Sequence, residues 1–216
     1  MSELPLVHLS RPAESGTSPF PALILLHGLG SNEADLFSLA SQIDCRLTVF
    51  SVRAPHDYDY GGYMWWDIER ETPGLGGPLI TASLAALGKF LEAAGAAYHL
   101  DAKHIYLGGF SQGAAMAGAF SLLHPDRVAG TIMLSGFLPP DPDNRYHTEE
   151  ATGHPIFQGH GVHDQVISID FARMTRDFLA QTPVILTYRE YPIGHEVSLP
   201  ELQDIANWVN GVLTEA

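Results

Sequence analysis

A serine stands between two glycines where an apolar run of the chain ends. Residues 105–107 are apolar, the pattern Gly-x-Ser-x-Gly occupies 109–113 (GFSQG), and a run of small residues follows. Between a strand and a helix, this pattern is typical of a sharp, strained turn that projects the hydroxyl of Ser111 clear of a sheet. Side chains at Gly109 and Gly113 would collide with the neighbouring strand or helix. The sequence therefore predicts that Ser111 is a nucleophile, and an ordinary strand-helix turn is the alternative.

A serine hydroxyl reacts well only when a neighbouring base takes its proton. With this kind of turn, the partners follow the serine in the order acid, then histidine. Asp164 lies in 161–166 (GVHDQV) and His195 lies in 192–196 (PIGHE), each directly after a predicted strand. We predict that His195 is the general base toward Ser111 and then the general acid toward the leaving group. Asp164 would orient the imidazole and stabilise its charged form.

Other histidines and acids compete for these roles, because the chain has 11 histidines and 25 Asp and Glu residues. His160 and His163 precede any plausible position of the base, and His124 lies at a helix end. The rival acids lie in a proline-rich loop or in the first turn of a helix, where an acid is expected in any case; they are Asp141, Asp143 and Asp170.

The oxyanion of an acyl-transfer reaction needs two backbone N–H donors. One donor is expected from Gln112, the residue after the nucleophile, and the other from the turn after an earlier strand. The run 27–30 (HGLG) fits the second role, with the Leu29 N–H as the donor. A glycine-rich turn into a helix is the alternative. The run is not a dinucleotide-binding motif, because the third glycine is missing.

Aromatic residues follow in a long irregular segment, 55–77, and such segments in compact domains are often functional. Tyr63, Trp65 and Trp66 could form an apolar wall for an acyl chain or an aromatic ester. They could equally hold the segment against the core. Phe137 and Leu138, which follow a later strand, could line the opposite side of the same pocket.

The elements that would position these residues alternate along the chain. Apolar, strand-like runs are followed by segments of helical period, and this alternation predicts an α/β fold with a mainly parallel sheet covered by helices on both faces. Ligands of such sheets bind at the carboxyl ends of the strands. We expect one domain over 1–216. The predicted strands are 21–27, 46–52, 104–109, 128–135, 155–159 and 184–191, and the predicted helices are 32–43, 78–97, 112–124, 169–180 and 200–213.

The composition excludes several classes of protein. The formal net charge of −14, with lysine only at positions 89 and 103, argues against binding of nucleic acid or of anionic lipid. The single cysteine excludes an intramolecular disulfide. No secretory signal is evident at the N-terminus, and we expect no apolar stretch long enough to span a bilayer. A cytoplasmic protein without a stable membrane anchor is therefore expected, and a secreted protein whose signal has been removed is the alternative.

In these motifs the sequence resembles the carboxylesterase and acyl-protein thioesterase family of α/β-hydrolases, especially its bacterial members. The resemblance covers nearly the whole chain and is carried by 26–36 (LHGLGSNEADL), 62–68 (GYMWWDI), 107–117 (LGGFSQGAAMA), 134–139 (LSGFLP), 159–168 (GHGVHDQVIS) and 191–198 (YPIGHEVS). It implies the α/β-hydrolase fold, the triad Ser111, Asp164 and His195, and the oxyanion donors Leu29 and Gln112. Family members are often monomers or dimers.

Two residues depart from the family's pattern. Ser31 stands where many members have an acidic residue, and Ala114 follows the serine turn where glycine is frequent. Neither belongs to the triad, but Ser31 lies close enough to affect which substrate is used. No large insertion follows Ser135, so a bulky lid is not expected and the site should be shallow and open.

The sequence thus predicts a serine hydrolase of short- to medium-chain carboxylic esters that needs no cofactor. Its substrate would be a small acyl ester or thioester, and an acyl-protein thioesterase or a lysophospholipase is the alternative. A catalytically inactive, ligand-binding relative would have lost a member of the triad, and all three have candidates. A metal-dependent hydrolase built on His154, His160, His163 and Asp164 lacks the helical HExxH spacing.

Overall fold

The computed structural model describes residues 4–71 and 74–214 and alternates strands with helices. The strands are β1 (His8–Arg11), β2 (Phe20–Leu26), β3 (Thr48–Val52), β4 (His56–Asp57), β5 (Tyr63–Met64), β6 (Leu100–Phe110), β7 (Gly130–Leu134), β8 (Pro155–Gly161) and β9 (Ile185–Tyr191). The helices are α1 (Pro78–Tyr98), α2 (Gln112–Leu123), α3 (Ile169–Leu179) and α4 (Leu199–Thr214). Two short 3₁₀ helices span Leu36–Gln42 and Pro125–Arg127.

Seven strands form one sheet in the order β1-β3-β2-β6-β7-β8-β9. All neighbouring pairs are parallel except β1 and β3. The mainly parallel sheet with helices on both faces is confirmed. Leu26 pairs with Gly109, and Leu134 pairs with both Phe110 and Gly159, so these strands end along one rim of the sheet. Side chains in the turns after β2, β6, β8 and β9 can therefore meet.

The helices cover both faces because successive side chains of a strand point to opposite sides. In β2, Ile24 and Leu26 pack in one cluster with residues of α1 and α2. Leu23 and Leu25 pack in another cluster with the first 3₁₀ helix and α4. All four leucine and isoleucine side chains are buried. The sheet therefore holds its rim rigidly between two apolar layers.

Three details of the predicted elements differ from the structure. The helix predicted at 32–43 is only a 3₁₀ helix at Leu36–Gln42. Polar side chains compete with regular helical bonding there: Asn32 Oδ1 accepts from the Ala34 N–H at 2.9 Å, and the Ser38 hydroxyl donates to the Asp35 carbonyl. The antiparallel edge strand β1 was not predicted, since it is short and only partly buried. The segment 55–77 contains the small β4–β5 ribbon, and residues 72 and 73 lie outside the described residues.

The expectation about membrane-spanning stretches was wrong for α1. This 21-residue helix is long and apolar enough to cross a membrane by length and composition alone. One side of it is buried in the core of this fold, where Leu87, Phe90 and Ala94 pack beside β-strand residues. The apolar character of α1 is thus accounted for by its packing against the sheet.

A buried glutamate lies in the first turn of the last helix. Glu201 and Ser198 bond reciprocally: the Glu201 N–H donates to the serine hydroxyl at 3.3 Å, and the Ser198 N–H donates to Glu201 Oε2 at 3.4 Å. The Glu201 side chain is fully buried, and a Cβ on Gly159 would come 2.3 Å from its Oε1. Burial raises the pKa of Glu201 to about 7, with the Ser198 N–H opposing and Asp204 adding to the rise. Glu201 is therefore an acid that the fold prefers to keep protonated.

We expect Glu201→Gln to stabilise the protein at pH 8 but much less at pH 5. Because the folded-state pKa lies above the unfolded value, stability falls as the pH rises from about 4.5 to about 7. The ionised side chain costs about 3 kcal/mol above that window, and glutamine removes this cost. Urea unfolding of both proteins should give a difference that grows by about 2–3 kcal/mol from pH 5 to pH 8.

Glu149→Gln is the control, because Glu149 is exposed. As a surface substitution, it should change the free energy of unfolding by no more than about 0.5 kcal/mol in either buffer. A pH-independent effect of Glu201→Gln would contradict the assignment.

Candidate active site

Ser111 occupies the strained turn between β6 and α2. Its backbone has φ 55° and ψ −117°, and its N–H donates to the Leu134 carbonyl at the end of β7. A Cβ on Gly109 would lie 2.2 Å from the Gly113 carbonyl carbon, and one on Gly113 would lie 1.9 Å from the Leu26 carbonyl oxygen. No side chain fits at either position, so the two glycines are what allows this turn to pack against β2.

His195 bridges the serine and the aspartate. Its Nε2 lies 3.0 Å from Ser111 Oγ, and its Nδ1 lies 2.7 Å from Asp164 Oδ2. The turns after β8 and β9 carry Asp164 and His195, and the backbone joins these turns, since the His163 N–H donates to the Ile193 carbonyl at 3.0 Å. The ring of Phe110 packs beside the imidazole, with ring centroids 4.7 Å apart. The structure thus brings together three residues that lie far apart in sequence, in hydrogen-bond contact.

Both oxygens of the Asp164 carboxylate have hydrogen-bond partners. Oδ1 accepts from the Val166 and Ile167 N–H groups at 2.8 and 2.9 Å, while Oδ2 faces His195. Burial raises the pKa of this carboxyl, but the hydrogen bonds from His195, Ile167 and Val166 outweigh it, so the pKa lies below its usual range. Asp164 therefore remains ionised beside the imidazole.

A second histidine contacts this aspartate. His160 is fully buried on β8, and its Nε2 lies 2.9 Å from the Ile167 carbonyl and 3.3 Å from Asp164 Oδ2. Because the carbonyl only accepts, the Nε2–H group donates to it, and the Asp164 carboxylate lies close by. His160 was not expected to act as the base, and its position behind the acid was not predicted from the sequence. The spacing of four residues to Asp164, across a strand end, was the available signal.

The two expected oxyanion donors face the same cavity as Ser111. Leu29 and Gln112 both line this cavity, and Gln112 is the first residue of α2. Within the described part of the chain, no backbone carbonyl accepts from either N–H. A Cβ on Gly28 would lie 3.3 Å from the Cβ of Ser111, which shows how closely the two turns approach. The N-terminus of α2 adds a partial positive charge at this point.

The cavity has a volume of about 480 Å³ and mostly apolar walls. Trp66 and Phe137 line it, as expected from the sequence. Ile68, Ile80, Val166 and Ile167 also contribute to its walls. Asp35 and Glu71 add carboxylates, and none of the described lining residues is Lys or Arg. The cavity is therefore suited to a neutral, apolar group next to Ser111.

Ser31, one of the two residues that depart from the family's pattern, lies on the wall of this cavity, where its hydroxyl donates to Asp35 Oδ2 at 2.8 Å.

Three residues expected in this wall lie elsewhere. The Arg53 guanidinium lies over the Tyr63 ring, with its central carbon 4.4 Å from the ring centroid. The Tyr63 hydroxyl also accepts a hydrogen bond from Arg53. Trp65 is fully buried, and Leu138 lies in a neighbouring groove between residues 137–148 and α3. The expectation that these three line the catalytic cavity was wrong, because each is engaged in packing that holds a surrounding segment.

Trp65 and Gln112 connect the aromatic segment to the reactive turns. The Trp65 indole Nε1 donates to the His27 carbonyl at 2.9 Å, and its backbone N–H donates to Gln112 Oε1 at 2.8 Å. The Gln112 side-chain amide donates to the Trp66 carbonyl at 2.8 Å. These bonds fix Trp66 in the cavity wall. No cluster of three or more potential metal ligands occurs among the described residues.

Comparison with known proteins identifies the family of the chain. The family model described as phospholipase/carboxylesterase matches residues 13–213. The chain belongs to this family. As a member of the phospholipase/carboxylesterase family it is a carboxylic ester hydrolase with an α/β-hydrolase fold.

Its relatives include proteins named for two related activities. A probable carboxylesterase SOBER1-like of Arabidopsis thaliana is 31% identical over 202 residues, covering 87% of this chain and 77% of the relative. An acyl-protein thioesterase 1 of Debaryomyces hansenii is 28% identical and covers 99% of both chains. Among solved structures, the Bacillus cereus carboxylesterase has a TM-score of 0.82 at 23% identity, covering 96% of this chain and 94% of that one. This structural likeness supports the fold.

Proposed function

We propose that this family member is a serine carboxylesterase that cleaves short- to medium-chain carboxylic esters through Ser111, His195 and Asp164. The observation that carries the proposal is the continuous hydrogen-bonded chain from Ser111 Oγ through the imidazole to the Asp164 carboxylate, with distances of 3.0 and 2.7 Å. A base within hydrogen-bond distance of a hydroxyl, itself oriented by a third group, is the arrangement that activates a serine.

The first half of the reaction acylates the serine. Ser111 Oγ attacks the ester carbonyl carbon while its proton passes to His195 Nε2, and the carbonyl electrons move onto the oxygen. The N–H groups of Leu29 and Gln112 stabilise this oxyanion. When the tetrahedral intermediate collapses, the bond to the alcohol breaks, and the alcohol leaves with the proton from His195.

The second half frees the enzyme. Water gives a proton to His195 Nε2 as it attacks the acyl-enzyme carbonyl, and a second oxyanion forms in the same place. Collapse returns the electron pair and the proton to Ser111 Oγ and releases the carboxylic acid. Asp164 stays ionised throughout, consistent with its lowered pKa, and stabilises the imidazolium in both halves.

The acyl group is proposed to lie against Trp66 and Phe137. A cavity of about 480 Å³ is near the small end of ligand pockets. We expect kcat/KM for p-nitrophenyl esters to rise from acetate to a maximum at medium chain length and then to fall. Trp66→Ala should lower kcat/KM for the medium-chain ester about tenfold and for acetate much less, because only the longer chain loses contact with the indole.

Leu138→Ala is the matched control, since Leu138 lines the neighbouring groove. It should leave the chain-length profile unchanged. A profile that rises steadily to the longest chains, or that shifts equally with Leu138→Ala, would contradict the proposed short- to medium-chain preference.

Thioester cleavage is the second candidate, because several relatives are named acyl-protein thioesterase 1. The same serine chemistry applies to a thioester. Matched oxygen and sulfur esters of one acyl group, measured beside a lysophospholipid, distinguish the three substrate classes by kcat/KM. We expect the oxygen ester to be cleaved with the highest value.

A further inference from the structure

His27 is a buried histidine that the proposed chemistry does not use. It directly follows β2, its side chain is fully buried, and its ring lies beside the Trp65 ring, with centroids 5.8 Å apart. Its neighbours in sequence, Gly28 and Leu29, line the catalytic cavity. A polar ring in such a place must satisfy both of its nitrogen atoms from the protein.

The hydrogen bonds of His27 define its tautomer. The Ala54 backbone N–H can only donate, and it lies 3.0 Å from Nε2, so Nε2 carries a lone pair. The ring proton is therefore on Nδ1, which lies 2.7 Å from the Gly28 carbonyl oxygen and donates to it. Burial lowers the pKa of His27, which agrees with a neutral ring.

The Gly28 carbonyl belongs to the same peptide plane as the Leu29 N–H. In a trans peptide the two groups point in opposite directions, so holding the carbonyl on one side aims the N–H to the other. The preceding carbonyl, that of His27, is held by the Trp65 indole at 2.9 Å. The Ser31 N–H also approaches the Gly28 carbonyl, at the longer distance of 3.3 Å. The shortest bond to this peptide plane is thus the one from the imidazole.

We propose that His27 is a positioning residue of the oxyanion site, because its Nδ1–H holds the Gly28 carbonyl and so directs the Leu29 N–H toward the reacting carbonyl oxygen. This inference rests on the proposed function, in which Leu29 is an oxyanion donor. Its effect appears only when the oxyanion forms, so it lowers the barrier without strengthening the binding of substrate.

Two amide substitutions separate the two nitrogen atoms of the ring. The side-chain amide of asparagine reaches about the position of Nδ1 and can donate to the Gly28 carbonyl. The longer glutamine places its amide near Nε2, where its oxygen can accept from the Ala54 N–H. Removal of an oxyanion donor lowers kcat by about 10²–10³-fold, and a misdirected donor should lose part of that. We expect His27→Gln to lower kcat about 30-fold with KM within about twofold of the wild type, and His27→Asn to recover most of that loss.

The matched control is His154→Gln. His154 is also buried and bonded, with Nε2 2.9 Å from Thr131 Oγ1, but it does not line the cavity. The His154→Gln variant should lose thermal stability while its kcat stays at the wild-type value. Affinity for a trifluoromethyl ketone, which forms a tetrahedral oxyanion on the serine, should fall in the same proportion as kcat/KM across the His27 variants.

The ranking of the His27 variants by kcat tests the proposed role of His27. Equal kcat values in His27→Asn and His27→Gln, or a loss carried by KM instead of kcat, would overturn the role of His27. If the glutamine variant does not fold, a kcat of His27→Asn more than about 30-fold below the wild type would overturn it alone. Activity that survives in Ser111→Ala would instead refute the proposed function, so the two failures are distinguishable.

Discussion

Replacing Ser111 by alanine is expected to lower kcat by about 10⁶-fold and to leave the fold intact. The hydroxyl is the group that His195 contacts at 3.0 Å, and alanine offers no atom that could form the acyl-enzyme. The backbone conformation, φ 55°, is equally demanding for serine and alanine, so the change adds no strain of its own. The measurement is kcat for the best ester of the chain-length series, with circular dichroism and thermal unfolding as the check on folding.

Ser121→Ala, in the helix that follows Ser111, is the matched control. Ser121 is buried, donates to the Ala117 carbonyl at 2.8 Å and accepts from Thr131 Oγ1. Its loss should cost about 1 kcal/mol of stability and little activity. If Ser111→Ala keeps more than about one part in a thousand of the wild-type kcat, with no wild-type contamination, Ser111 is not the nucleophile.

Replacing Asp164 by asparagine is expected to lower kcat by about 10⁴-fold, because it reverses the tautomer of His195. Two backbone N–H groups face Oδ1, so the amide oxygen of asparagine must take that position. The NH₂ group then faces His195 Nδ1, which has to accept instead of donate. The ring proton moves to Nε2, and the imidazole can no longer take the proton of Ser111.

Nitrogen NMR of labelled histidine should show this change directly. In the wild type the His195 signal is expected to report a proton on Nδ1, and in Asp164→Asn a proton on Nε2. Asp141→Asn is the control, because Asp141 also accepts from a backbone N–H, that of Tyr146 at 2.8 Å, away from the triad. A loss of kcat smaller than about tenfold in Asp164→Asn would contradict the orienting role.

The positions of six of the seven strands of the main sheet could be predicted from the sequence, together with the chain order of the proposed reactive residues. Strand ends were marked by apolar runs that stop at glycine, as in 105–109, and the parallel order of the sheet then placed the turns of Ser111, Asp164 and His195 on one rim. The prediction of a helix over 32–43 was wrong, because short-range hydrogen bonds of the Asn32 and Ser38 side chains determine the backbone conformation there. Such competition between side chain and helix has no periodicity from which it could be predicted.

The roles of the aromatic residues could not be predicted from the sequence, for a different reason. Neighbouring tryptophans diverge: Trp66 lines the cavity, whereas Trp65 is fully buried and bonds to His27 and Gln112. Contacts with residues about 40 positions away determine which of the two adjacent side chains is buried in the core and which lines the cavity. The same holds for His160, whose contact with Asp164 depends on how the turn after β8 closes.

The most direct test is intact-mass spectrometry and peptide mapping after reaction with a fluorophosphonate. The proposed mechanism predicts one adduct per chain, located on Ser111, absent in Ser111→Ala and formed far more slowly in Asp164→Asn. An adduct on another residue of the active wild-type enzyme, or no adduct while ester hydrolysis continues, would contradict the assignment of Ser111 as the nucleophile.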